Sequence, residues 1–483
     1  MVKRFLRIRP QDPATRQIGW REVLAREHLP GLLVLCLAIW LHAANSMLTA
    51  TTMPAAVGDI GGLRLISWAF ALYLMGSIVA AAAVSAFVAN HGLRRTMLTA
   101  TLLYTLGCVI CAAAPAMPVL LAGRTVQGLG GGALIALVYI GQDRFFPSRL
   151  VPRIMAILSV VWMASALSGP LIGGAFATAG IWRFAFWSFA LQGLLLAVAV
   201  YPLLARAGAG PAMQARPVPA VRLGLVAVAI VAISFAGTVN GVVPAAALLL
   251  SGCACLVLFV RRDSSAEARS RLLPAHATDL GHPVGSGIAM TFLLCLCMMS
   301  FLVYGPILLI RLYGLTALEA GLVVVSESLG WTAGAFFLSG LAPAQESRLI
   351  RSGSALLLAG TTALAWFMPF GPLWMIVVAA FFGTAGFGMM WGYIIKLVIA
   401  NADDGDRERA GSFLPSAQQT GFALGAALTG IIANSLGFEQ MTQPEEYRIA
   451  AFWLFAGFVP PALLGCLIAW RFSNRIAGGR ETA

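Results

Sequence analysis

The stretch Gly31–Val57, GLLVLCLAIWLHAANSMLTATTMPAAV, runs for 27 residues without an acidic or basic residue other than one histidine. A bilayer core about 30 Å thick is crossed by roughly 20 helical residues, so this stretch is long enough to span. It follows a polar, basic segment, residues 1–30, that holds Lys3, Arg4, Arg7, Arg9, Arg16, Arg21 and Arg26. It is too long for the core of a signal peptide, and no small-residue cleavage pattern closes it, so it reads as a retained first spanning helix. Within it His42, Asn45, Thr49 and Thr52 recur at spacings of 3, 4 and 3, which places them on one helical face. A polar face on an apolar helix lines either a water-filled cavity or a hydrogen-bonded contact with another helix.

Comparable apolar runs recur along nearly the whole chain. Of 483 residues, 59% are apolar and 11% charged, against about 25% charged in soluble domains. That balance excludes both a soluble globule and a disordered chain. The reading is an all-α polytopic membrane protein in contact with the lipid bilayer. Six spans, roughly Gly31–Val57, Leu65–Val88, Met97–Ala114, Pro118–Ile140, Ile154–Ala179 and Phe184–Ala205, form a first bundle over residues 31–205. A linker, 206–283, contains two further runs, Val218–Gly237 and Val242–Val260. The last six, Val284–Ile310, Leu315–Leu341, Ile350–Phe370, Pro372–Ile399, Gly411–Leu436 and Ala450–Trp470, form a second bundle over 284–472, with a tail at 473–483. Fourteen crossings are expected.

The net charge of +13 would suggest a nucleic-acid partner in a soluble protein. Here it reads as an orientation signal, because Lys and Arg concentrate in cytoplasmic loops. With the N-terminus inside, 27 of the 32 basic residues fall on the cytoplasmic side. Only Arg64, Arg183, Arg311 and Arg448 fall outside, and Arg124 lies within a span. Both termini are therefore expected in the cytoplasm and no nucleic-acid partner is expected. The eight cysteines all lie in apolar runs. The C-x-C pairs Cys253/Cys255 and Cys295/Cys297 point their sulfurs about 200° apart, so packing rather than a metal site or disulfide framework is expected.

Ionisable groups at membrane depth are costly and default to functional candidates. Arg124 and Gln127 sit in Gly123-Arg124-Thr125-Val126-Gln127-Gly128-Leu129-Gly130-Gly131-Gly132 of the fourth span. An arginine there needs backbone carbonyls, a partner or water, and the glycines admit a close neighbouring helix. The fragment is no phosphate loop, since no strand precedes it and the nucleotide-binding lysine is missing. Glu327 is the carboxylate clearly at depth, halfway along Leu315–Leu341, whereas Glu319 reads as interfacial. Gln192, Gln418 and Gln419 are further polar interruptions, candidates for either substrate contact or packing. In the fifth span Ser168-Gly169-Pro170-Leu171-Ile172-Gly173-Gly174 combines a kink with sites of tight packing.

At these residues the chain resembles the major facilitator superfamily, in particular its 14-helix drug:proton antiporter branch. Arg124-x-x-Gln127-Gly128 is similar to that family's fourth-helix motif and Gly169-Pro170-x-x-Gly173-Gly174 to its fifth-helix antiporter motif. Trp182-Arg183-Phe184-x-Phe186-Trp187, Met53-Pro54, Gly58-Asp59, Trp68, Tyr73-Leu74, Ala320-Gly321-Leu322 and the stretch Gly411–Gly425 fit the same branch. The resemblance covers nearly the entire chain. It implies two six-helix halves with two extra central helices and no cofactor. It also implies an export role for a small amphipathic or lipophilic compound, coupled to protons, and a monomer as transport unit. The expected location is a bacterial inner membrane, and no enzymatic activity is implied.

Two departures stand out. The loop after the second span, Ser85–Arg95, keeps Gly92, Arg94 and Arg95 of the family pattern but has Ala89 where the pattern has an acid. The first-span Asp of the branch aligns with Asn45, which cannot titrate. Proton coupling is therefore expected to rest on His42, one turn earlier, or on Glu327. Asn45, Thr49, Arg124, Gln127, Gln192, Gln418 and Gln419 are the expected cavity residues. Two other classes stay open at this level: a member of the same fold that senses or assembles without transporting, and a lipid-modifying membrane enzyme. For the latter His276, Asp279 and His282 are the nearest cluster of acids and bases.

Overall fold

A computed structural model describes residues 20–147, 149–206, 218–267, 270–338 and 343–481. Most of the basic N-terminal segment, the centre of the linker with Arg216, and Arg269 lie outside the described residues. Among the described residues the chain is helical without strands. After a short α1 (Trp20–Val23), the first half comprises α2 (Leu29–Ile60), α3 (Trp68–Ala112), α4 (Met117–Phe145), α5 (Val151–Thr178) and α6 (Arg183–Arg206). The linker supplies α7 (Ala220–Ala236) and α8 (Val242–Ser264). The second half comprises α9 (Pro283–Tyr313), α10 (Ala317–Phe337), α11 (Pro343–Phe370), α12 (Leu373–Ala400), α13 (Arg407–Ser435), α14 (Pro444–Ala456) and α15 (Val459–Glu481).

Eleven helical stretches among the described residues are long and apolar enough to cross a membrane. The difference from the sequence-based count has local causes. The second and third spans form one helical run, Leu63–Ala112, interrupted where Gly92 takes φ 79° and ψ 158°. Only glycine adopts that backbone freely, so the break sits at a glycine. The α7 helix has 17 residues, short of a full crossing. The α13 helix begins with Arg407, Glu408 and Arg409 and carries Gln418 and Gln419, which lowers its apolar character.

The same helix pairings recur in both halves. The first helix packs on the fifth (α2 on α5, α9 on α13). The second and third pack on the fourth (α3 on α4, α10 and α11 on α12), and the third on the sixth (α3 on α6, α11 on α14 and α15). Helices of this length satisfy their own backbone, as a chain in lipid must. Their serine and threonine hydroxyls largely fold back onto carbonyls one turn earlier, as Thr49 does to Asn45 at 3.0 Å and Thr101 to Met97 at 2.8 Å. All eight cysteines are free thiols.

The halves meet at the end of the bundle where α2 and α5 finish and α10 starts. Leu318 N–H donates to the Thr178 hydroxyl at 3.0 Å, and the Asn434 amide donates to the Arg64 carbonyl at 2.9 Å. The glycines of the α5 motif make the approach possible. A Cβ on Gly174 would lie 2.8 Å from the Ala317 carbonyl oxygen and from Leu318 Cα. On the other face of α5, a Cβ on Gly169 would lie 2.6 Å from the Ala44 carbonyl oxygen of α2, and Thr51 donates to the Pro170 carbonyl at 3.0 Å. Of the linker pair, α7 packs on both halves, through α3 and α13, and α8 packs on α7.

At the opposite end the loop between α8 and α9 is tied down by carboxylates. Asp263, fully buried, pairs with Arg222 at 2.6 Å and accepts from the Leu272 and Leu273 amides at 3.0 and 2.7 Å. Asp406 accepts from the Ala275 amide at 2.5 Å. His282 caps α9, its Nδ1 accepting from Val284 N–H at 3.2 Å, with the His276 ring stacked on it at 4.3 Å.

Two outcomes test this packing. Gly174→Leu puts side-chain atoms against backbone that cannot yield, so the closed end should open more often. A cysteine reporter at Leu318 should then react severalfold faster with a membrane-impermeant maleimide than in the parent, and an unchanged rate would show the contact is not limiting. The second concerns pH. Partial burial, and then the neighbouring His276, lower the His282 pKa below its ordinary 6.5, against the opposing pull of Asp279 and Asp403. Stability from the neutral cap is therefore complete above about pH 6.5 and is lost as pH falls toward the lowered native value. Thermal denaturation in detergent should show a drop from pH 7.5 to 5.5 that shrinks in His282→Asn, whose amide oxygen caps without titrating.

Candidate functional site

Arg124 reaches into the first half from one-third of the way along α4 and is only 1% exposed. A charge so buried must be met by acceptors, and three elements supply them. Its Nε donates to the Ala69 carbonyl at the start of α3 at 3.0 Å. Its Nη1 donates to Asn45 Oδ1 of α2 at 2.7 Å and to Gln127 Oε1, one turn along α4, at 2.5 Å. Its guanidinium carbon lies 4.2 Å above the Tyr73 ring, a cation–π contact of about 2 kcal/mol when desolvated. Gln127 in turn donates to Cys108 Sγ at 2.9 Å.

Of the polar face read from the first span, Asn45 meets Arg124 and His42 meets Tyr73, while Thr49 and Thr52 donate back to their own helix. His42 is 3% exposed, and Asn45 and Thr49 are fully buried. His42 Nδ1 lies 3.0 Å from the Tyr73 hydroxyl, and its ring meets Trp162 of α5 edge-on at 6.0 Å. Tyr104 anchors α3 to α2 by donating to the Leu41 carbonyl at 2.8 Å. The glycines of α4 make the cluster possible. A Cβ on Gly131 would lie 2.7 Å from the Tyr73 hydroxyl and 3.1 Å from His42 Nδ1. Tyr104, Cys108 and Trp162 were not singled out by sequence as members of this cluster, and Tyr73 only as part of a motif. Aromatic and thiol groups in an apolar run carry no signal of their own there.

Glu327 sits in the second half, where it lines a cavity of about 20 Å³ with Cys297, Ser300, Thr361 and Thr384. That is room for about one water and far below the roughly 300 Å³ of a drug-sized site. Thr384 donates to the Glu327 carbonyl at 2.7 Å. No hydrogen bond or ion pair holds its carboxyl group among the described residues.

The other candidates go elsewhere. Gln192 accepts from Trp40 Nε1 at 2.7 Å and donates to the Ser188 carbonyl at 3.1 Å, bracing α2 against α6. Gln418 and Gln419 are partly buried on α13, and Gln419 Oε1 is buried without a partner. In the Gly92 loop, Arg94 lies 4.2 Å over the Tyr201 ring of α6 and Arg95 is exposed. Asp59 is held by Arg183 and by Trp182 Nε1 at 3.1 Å, so two fragments read separately in the sequence form one contact. His276, Asp279 and His282 build a turn, Asp279 accepting from Gly281 N–H at 2.7 Å. No group of three or more metal-ligating side chains occurs among the described residues.

Compared with known families, residues 35–405 match the sequence model of the Major Facilitator Superfamily. The chain belongs to the major facilitator superfamily. It is a multi-span membrane transporter and not an enzyme. The chain is 30% identical over 475 residues to a protein of Mycobacterium tuberculosis named "Probable multidrug-efflux transporter", covering 96% of this chain and 98% of that one. Two solved facilitator structures share the fold. One is a bacterial homologue of the human lysosomal transporter Spinster in an inward-facing, unoccupied conformation (TM-score 0.66, 14% identity, 94% of this chain and 98% of that one). The other is a D-xylose–proton symporter (TM-score 0.65, 14% identity, 92% and 97%).

In this facilitator the arginine cluster is a shared contact of α2, α3 and α4, so its removal should be felt both in stability and in transport. Each hydrogen bond between a neutral acceptor and a charged donor is worth about 1.5–3 kcal/mol. Arg124→Lys keeps the charge but cannot reach Ala69, Asn45 and Gln127 together. Its expected outcome is a transport loss of at least tenfold at retained membrane expression, measured as movement of a labelled compound across vesicle membranes. Full activity in the lysine variant would reduce Arg124 to a point charge.

Proposed function

We propose that this facilitator exports a small amphipathic or lipophilic compound in exchange for protons, by alternating access between its two six-helix halves. The observation that carries the reading is the placement of a buried polar cluster in the first half and an unpaired carboxyl group, Glu327, in the second. Near-complete coverage of a relative bearing a multidrug-efflux name supports export as the direction.

In this reading the chain crosses the bilayer fourteen times, the two arms of α3 counting separately and α7 and α13 counting as crossings. Both termini face the cytoplasm of a bacterial cell, and the transport unit is a monomer. The closed end, with Thr178, Leu318, Arg64 and Asn434, then faces outward. A site closed outside and loaded from within suits an exporter that collects its cargo from the cytoplasm or inner leaflet.

His42 and Glu327 are the proposed proton carriers, and Asn45, Thr49, Arg124, Gln127, Gln418 and Gln419 the proposed cavity residues. Asn45 cannot carry a proton, so the exchange has to use a neighbour or the other half. Glu327 can gain or lose a proton without breaking an ion pair, which makes it the simpler carrier. The test is pH-gradient-driven uptake into inverted vesicles for Glu327→Gln, His42→Asn and the double variant. Gradient-driven uptake should fall at least tenfold in Glu327→Gln and further in the double variant, while binding of the same compound persists. An undiminished response to the gradient in the double variant would refute coupling through these residues.

A further inference from the structure

We infer that the Arg124 cluster is an anion-binding site and that the exported compound is an amphipathic organic anion, such as an aromatic carboxylate. The inference rests on the transport reading above and names the cargo of the same site. Its first ground is a charge count. Across α2 to α6 the acidic residues are Asp59 and Asp143. Asp59 lies at the end of α2, already held by Arg183 and Trp182. Asp143 is 19 residues beyond Arg124 along α4, about 28 Å at 1.5 Å per residue. The groups on Arg124 are the Ala69 carbonyl, the Asn45 and Gln127 amide oxygens and the Tyr73 ring. All are neutral, so among the described residues this buried cation has no counter-charge beside it.

The second ground is an orphaned donor. Arg124 can only donate, so the Asn45 and Gln127 amides must turn their oxygens toward it, and their orientations follow. Gln127 spends its NH₂ on Cys108. The Asn45 NH₂, on a residue with no exposed surface, has no partner. The cluster therefore has a surplus of one full positive charge and one unmet donor. In the closed state the two amide oxygens stand where an anion would be accepted. A carboxylate that reached the cluster would take the guanidinium fork directly and accept from the Asn45 NH₂ through its second oxygen. A cationic cargo would add a second positive charge to a pocket that cannot neutralise the first.

An inside-negative membrane favours the outward movement of such an anion. At about 100 mV a single charge is concentrated roughly fifty-fold by the potential alone. Carriage of an anion outward thus adds a driving force that export of a cation must work against.

The experiment is isothermal titration of the full chain in detergent with 2-naphthoate, its methyl ester, the matching 2-naphthylmethylammonium ion and chloride. 2-Naphthoate should bind at least tenfold more tightly than the ester and the ammonium ion. Equal affinity for acid and ester would overturn the inference. Chloride binding as tight as 2-naphthoate would overturn the assignment to an organic cargo and leave an inorganic anion site. Asn45→Asp, nearly isosteric, gives Arg124 an internal carboxylate, so it should fold normally by thermal denaturation and lose 2-naphthoate affinity at least tenfold. Retained affinity there would also overturn the inference. Transport in vesicles separates this claim from the broader one. Pumping of the ester or the ammonium ion but not of 2-naphthoate would overturn the anion assignment and keep the exporter. Selective binding of 2-naphthoate with no compound transported would uphold the site and remove the exporter.

Discussion

A guanidinium inside a bundle of apolar helices sets the terms for everything packed around it. Arg124 cannot shed its proton, and no water reaches it at 1% exposure. Its neighbours must therefore bring oxygens, and each oxygen fixes a helix. Asn45 fixes the azimuth of α2, the Ala69 carbonyl fixes the start of α3, and Gln127 ties the charge back to α4 itself. The glycines at 128, 130 and 132 follow from the same demand, because Cβ atoms there would run into the backbone of Tyr73, Tyr104 and Ser77. A looser α3–α4 contact would hold the arginine too far from Ala69 and Asn45. The polar centre and the small-residue stripe are one solution to one problem.

The second constraint is that the two halves must meet firmly and still part. Small residues rather than strong bonds close the joint. Gly174 and Gly321 bring α5 and α10 into backbone contact, and two hydrogen bonds, Leu318 to Thr178 and Asn434 to Arg64, cross the joint among the described residues. Arg64 also donates to the Thr238 carbonyl at 2.8 Å and to Asn240 at 3.2 Å, which hangs the turn between α7 and α8 on the same loop. The extra helix pair thus touches the joint itself, α7 packing on α3 from one half and α13 from the other.

Much of this was legible in the sequence, and the residues that were not explain why. Period and length sufficed for an all-helical chain of many spans, since a helix in lipid has few alternatives, though eleven rather than fourteen described stretches are long and apolar enough to cross. Gly92 was readable as a loop residue but not as a break inside a continuous helix, because helix continuity depends on how α3 packs rather than on local preference. His42, Asn45 and Thr49 were readable as one face, and the face does point inward. Their partners were another matter. Asn45 and Arg124 lie 79 residues apart and Asp59 and Arg183 lie 124 apart, and nothing in either stretch specifies the match. Gln192 shows the converse. A lone glutamine in a span could equally line a cavity or brace a neighbour, and its bond to Trp40 settles only which of its contacts is made in this arrangement.

The exchange of an acid for Asn45 is where sequence and structure bear most on each other. With an aspartate at that position the cluster would be a neutral ion pair, able to release its arginine only by taking up a proton. With asparagine the arginine is held by dipoles alone, so the first half keeps a fixed positive charge whatever the pH. In the proposed cycle the halves then divide the work. The first half selects by charge through Arg124, and proton exchange uses Glu327 in the second half together with His42 beside the cluster. The two are joined only by the rocking motion, because no polar chain links them among the described hydrogen bonds. A cycle of this kind predicts that Glu327→Gln weakens the pH response without altering the cargo preference, which is set across the joint between α5 and α10.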